Sequence, residues 1–107
     1  MRTFMWRAAV LLVLQIVGAR AGAAGETVQV KITDLAFSPA KITIKAGDTV
    51  EWVNGDFIDH TATAADGGWD ILIGAGKSAR LQFTSTGTSK CYCRLHPNMT
   101  GVVHVRP

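Results

Sequence analysis

The chain has 107 residues, with 11 Lys and Arg against 8 Asp and Glu and a hydrophobic content of 48%, which is enough for one ordinary domain. Three of the basic residues, Arg2, Arg7 and Arg20, fall within the first 24 positions, and every acidic residue lies at or after Glu26, so the remainder is balanced at eight against eight. A balanced domain lacks the basic face that nucleic acid or an anionic membrane requires, and both are excluded as expected partners.

The opening stretch, MRTFMWRAAVLLVLQIVGARAGAAGE, sets arginines ahead of an apolar run from Ala8 to Val17 and then turns to small residues. That layout predicts a secretory signal peptide over residues 1–24, with competing Ala-x-Ala sites at Ala19 to Ala21 and Ala21 to Ala23. The apolar run is about half the ~20 residues of a membrane-spanning helix, so a cleaved leader is favoured over an anchor. Residues 25–107 are then one small domain, of a size at which a bound metal adds useful stability.

Downstream, short alternating runs succeed one another. Val28, Val30 and Ile32 share a face in TVQVKIT, as do Ile42 and Ile44 in AKITIKA, Val50 and Trp52 in DTVEWVN, and Leu81 and Phe83 in ARLQFT. GVVHV at the end is another β-rich run, with His104 at an exposed alternating position. Strands this short, about ten residues apart and without a helical period, predict an all-β antiparallel sandwich or barrel of about 7–8 strands. The stretch from Asp66 to Gly76 is ambiguous between strand and loop because glycines bracket its apolar run. Trp52 and Trp69 are expected in the core, and Lys77, Arg80 and Lys90 in solvent.

Chemistry concentrates in two places. His60 closes a polar loop and opens the run Thr61 to Ala65, while Cys93, His96 and Met99 follow one another at intervals of three in KCYCRLHPNM. A strand ending at Cys93 can turn tightly so that His96 and Met99 return beside the thiolate, and His60 can join from a distant strand. Thiolate, two imidazoles and a thioether form a soft-to-borderline set that suits copper in both oxidation states; a hard cation would want oxygens. A Cys91, Cys93, His96, His60 set would formally suit zinc, but residues i and i+2 of a strand are displaced by ~6.6–6.8 Å, too far for two thiolates on one ion without a sharp bend. The same displacement would strain a Cys91–Cys93 disulfide. Cys91 therefore reads as a small buried hydrophobe on the strand face of Cys93.

Residues 48–105 resemble the cupredoxins, the small type 1 blue copper proteins, most closely their amicyanin-like and plastocyanin-like group. The likeness rests on VEWVNGDFIDHT, on WDILIGAGKSARLQFTSTGT, and on YCRLHPNMTG with its Cys-x-x-His-x-x-Met spacing, Pro97 after the histidine and Gly101 two residues after the methionine. It implies a Greek-key β-sandwich with one copper ion at one end, held by His60, Cys93, His96 and Met99. Three departures stand out: Cys91 where an aromatic is common, Thr61 where Asn is common, and Ile71-Leu72 after Asp70 where Ser-Gly is common.

The resemblance further implies one-electron Cu(I)/Cu(II) transfer rather than enzymatic turnover, in a periplasmic monomer. Its donor and acceptor would be redox proteins of dehydrogenase and cytochrome type, met in brief encounters through an apolar patch around His96 with Pro97 and Pro39 at its edge. The amicyanin-length loop adds the expectation that His96 leaves reduced copper and takes a proton at low pH. Two alternatives remain open at this point: a periplasmic copper carrier or store that uses the extra thiol of Cys91, and a binding module whose fold holds no working site.

Overall fold

A computed structural model describes residues 25–107; the expected leader lies outside them. Nine strands follow in order: β1 Thr27–Thr33, β2 Ala36–Ser38, β3 Lys41–Lys45, β4 Thr49–Asn54, β5 His60–Ala64, β6 Asp70–Ile73, β7 Ser78–Gln82, β8 Gly87–Cys93 and β9 His96–Arg106. They form a four-stranded sheet in the order β2-β1-β4-β7 and a five-stranded sheet in the order β3-β9-β8-β5-β6. The chain crosses between sheets five times, from β2 to β3, β3 to β4, β4 to β5, β6 to β7 and β7 to β8, and this is the expected Greek-key sandwich. The count exceeds the sequence expectation because a three-residue β2 folds back on β1 and because the ambiguous stretch after Trp69 pairs with β5 as β6.

The sheets are mixed rather than purely antiparallel. β1 runs parallel to β4, and β3 parallel to β9. In both pairs the intervening chain passes through the opposite sheet, so no hairpin imposes an antiparallel return.

Between the sheets lie the alternating residues read from the sequence. Val30, Ile32, Ile44, Val50, Trp52, Ile73, Phe83, Val103 and Val105 are buried in one cluster that also contains Cys93 and Met99. Trp69 is partly buried, its ring centroid 5.8 Å from Trp52 and 5.2 Å, edge-on, from Phe83. His104 is exposed, as expected, and bonds to Thr88.

Strand direction places the site. β5 and β8 are antiparallel, with Thr63 opposite Tyr92 and Ala64 opposite Cys91. The first residue of β5, His60, therefore sits at the same end of the sandwich as the last residue of β8, Cys93. All five residues of β5 are buried, including Thr61 and Thr63 on the face that alternation would send to solvent.

Candidate metal centre

β8 ends at Cys93, Arg94 and Leu95 make the turn, and β9 begins at His96. The register then breaks: Tyr92 faces Thr100 but Cys93 faces His96, so Pro97, Asn98 and Met99 are extra on the β9 side. This irregularity bends the strand back over its own turn. It is what returns His96 and Met99 to the thiolate.

Three donor atoms converge there. His60, Cys93 and His96 offer ligand atoms that all lie within 4.8 Å of one another. Cys93 Sγ is 3.8 Å from His60 Nδ1 and 3.8 Å from His96 Nδ1, and the two rings meet edge to face at 5.1 Å between centroids. A metal with one bond of about 2.3 Å to sulfur and one of about 2.0 Å to nitrogen, set at 120°, holds those atoms about 3.7 Å apart. The donor set fits one such ion. Met99 is 3% exposed in the core beside this group.

The thiol is prepared for ligation. Burial alone would raise its pKa, but the Thr61 amide at 3.2 Å, the His96 and His60 rings and the Leu95 amide outweigh it and bring Cys93 down to about 6. Cys91 behaves oppositely. Burial pushes it up to about 11, and it is a free cysteine outside the donor group. The sequence reading of Cys91 as a small buried hydrophobe agrees with both facts.

His60 is fully buried, and its ring is held from behind. Its Nε2–H donates to Asp56 Oδ2 at 2.8 Å, which leaves the Nδ1 lone pair on the side of Cys93. Asp56 is itself fixed: Oδ1 accepts the Asp34 amide at 2.8 Å and Oδ2 the Leu35 amide at 3.0 Å. Asp34 and Leu35 are the central pair of the β1–β2 hairpin, and both have positive φ, 52° and 61°. Two such residues suit a tight two-residue turn but are unfavourable without glycine, and the carboxylate offsets part of that cost. The Leu35 amide foremost, with His60 and the Asp34 amide, holds the Asp56 carboxyl below the usual carboxylate range against the opposing effect of burial. Asn54 fixes the loop between them, accepting the Asp56 amide and donating to the carbonyls of Ile58 and Ile73. The sequence reading did not single out Asn54 or Asp56. Both fall there within the polar loop that His60 closes, and only folding brings that loop against β1–β2.

Thr61, one of the departures noted in the sequence, ties the start of β5 to the turn after Cys93. Its hydroxyl accepts the Arg94 amide at 2.8 Å. Outside, a shallow depression of about 340 Å³ is lined by Leu35, Leu95, His96, Pro97, Asn98 and Met99. Leu35 from the opposite sheet takes the place expected for Pro39. Leu35 and Leu95 are about half exposed, and Phe57 in the loop before His60 is fully exposed.

A β-sandwich that closes a His, Cys, His group and a buried Met at one end defines the class of small blue copper proteins. The chain belongs to that family, for residues 6–105 match the family described as Cupredoxin-like domain. It is 32% identical over 93 residues to an amicyanin of Paracoccus versutus, an alignment covering 81% of this chain and 70% of that one. It is 50% identical over 60 residues to a plastocyanin of Nostoc punctiforme, covering 49% of this chain and 43% of the relative. The crystal structure of amicyanin from Paracoccus versutus superposes with a TM-score of 0.66 at 30% identity, covering 75% of this chain and 81% of that one.

Proposed function

We propose that this chain is a one-electron carrier that binds one copper ion through His60 Nδ1, Cys93 Sγ, His96 Nδ1 and, more weakly, the Met99 thioether. The observation that carries the reading is the convergence of the first three atoms, with the thiolate 3.8 Å from each imidazole nitrogen. Copper supplies a Cu(I)/Cu(II) couple in a geometry acceptable to both states. The protein keeps that geometry: the Asp56 bond fixes the His60 ring, the Thr61 amide faces the thiolate, and burial of His60, Cys93 and Met99 shuts out further ligands.

The role is that of a carrier rather than an enzyme, since the buried donors leave a substrate no approach. His96 is the only one of the four with a partly exposed side chain, which makes its ring edge the exit for an electron. Leu35, Leu95 and Pro97 give that edge an apolar rim suited to small, short-lived contacts with a redox donor and acceptor. The layout of residues 1–24 supports export, removal of the leader and work in the periplasm. No helix among the described residues is long and apolar enough to cross a membrane. The copper-store alternative leans on Cys91, whose raised pKa and place outside the donor group give it no second thiolate to offer.

Optical and EPR spectra of the copper-loaded protein, with Cys93→Ser and Cys91→Ser compared, test the reading. An intense blue band lost in Cys93→Ser and kept in Cys91→Ser is expected. A colourless Cu(I) protein that resists reoxidation would instead support copper handling, and a protein that takes up no metal would leave a binding module.

A further inference from the structure

A second polar group lies behind the donor set and joins it to the surface. The Arg94 amide donates to Thr61 Oγ1 at 2.8 Å, Thr61 Oγ1 lies 2.9 Å from Thr63 Oγ1, and the Thr63 hydroxyl donates to Asp70 Oδ1. Arg94 closes the ring with its own side chain, Nε to Oδ1 and Nη2 to Oδ2, each at 3.1 Å. The threonines are buried, 0% and 7% exposed, whereas the Arg94 and Asp70 side chains are 46% and 48% exposed. The ring thus runs along the outward face of β5, where both threonines are buried.

The ring has one possible polarity. An amide only donates and a carboxylate only accepts. The Thr63 hydrogen therefore goes to Asp70, the Thr61 hydrogen goes to Thr63, and a Thr61 lone pair is left for Arg94. Hydrogen bonds linked in this way strengthen one another. Two neighbouring members of the ring adjoin Cys93: Thr61 donates its amide to Cys93 Sγ at 3.2 Å, and Arg94 follows Cys93 directly in the chain.

From this arrangement we propose that Thr63, Asp70 and the Arg94 guanidinium are positioning residues, which hold the Thr61 amide on the Cys93 thiolate and balance the charge beside it. The reduction potential of the centre then depends on a surface ion pair. This rests on the copper reading above. An Arg94 cation without its partner favours the less positive Cu(I) state, and an Asp70 anion without its partner favours Cu(II). Because the pair is half exposed, the effect is moderate and weakens as salt is added.

The two halves of the pair thus have opposite signs, although removing either one breaks the same contact. In redox equilibrium with a mediator of known potential, Asp70→Asn should move the copper-loaded protein roughly two- to fivefold toward the reduced form, and Arg94→Gln by a similar factor toward the oxidised form. The double variant should return near the parent. Two shifts of the same sign, or no shift in either, overturn the proposal, because loosening alone has no reason to change sign.

A measurement without copper tests the ring itself. In the metal-free protein the Thr61 hydroxyl proton should give a resolved, slowly exchanging NMR resonance that Thr63→Val abolishes and Thr63→Ser keeps. Its absence from the parent protein overturns the ring. A parent protein that takes up no copper would defeat the electron-carrier reading instead and leave the hydroxyl resonance to decide the ring.

Discussion

His60 and Asp56 are bonded at 2.8 Å between Nε2 and Oδ2, and the same carboxylate holds both amides of the β1–β2 turn. One side chain thus joins the turn of one sheet to the His60 ring on the other. Asp56→Ala removes the acceptor from a fully buried ring and from two strained turn residues. We expect the metal-free variant to lose about 2–3 kcal/mol in a denaturant titration and its copper affinity to fall roughly 10–100-fold. An unchanged affinity would mean that the ring is oriented by packing alone.

Acid stability of the metal-free domain should depend on Asp48 at the opposite end. Its carboxylate accepts the Glu26 amide at 2.8 Å and the Lys45 amide at 2.9 Å, and the Lys45 amide, followed by that of Glu26, holds its pKa below the ordinary 3.8. A folded-state pKa that is depressed contributes stability above the unfolded value, and the contribution disappears as pH falls through the lower, folded one. The difference in stability between the parent and Asp48→Asn should therefore be constant above about pH 5 and shrink below about pH 4. Paired urea titrations at several pH values would measure it.

Gly101 is required for space. A Cβ there would lie 3.0 Å from the Ala40 carbonyl oxygen, 3.2 Å from Cys91 Sγ and 3.4 Å from Phe37 Cδ2. Gly101→Ala should cost about 1–3 kcal/mol through overpacking. Adding Cys91→Ala should recover part of that loss, since it removes the sulfur but leaves the carbonyl. A Gly101→Ala protein with the parent's thermal midpoint would show that β9 shifts freely.

How much of this is legible in the residues depends on how far apart in the chain the partners lie. The alternation of Val28, Val30 and Ile32, or of Val50 and Trp52, marks strands because a pleated backbone sends successive side chains to opposite faces. Cys93, His96 and Met99 are legible as one group because a single tight turn brings residues at that spacing together. The resemblance carried by that loop and by VEWVNGDFIDHT was enough to add His60. Neighbours along the chain do not determine which strands run parallel, and β1–β4 and β3–β9 depend on crossings between the sheets. Asp56 meets Asp34 and Leu35 across 21 or 22 positions, and Arg94 meets Thr61 across 33. Directional bonds from backbone amides to short polar side chains leave no periodicity to read. Local spacing thus determined the class of site and its metal, and tertiary packing decided what holds its ligands in place.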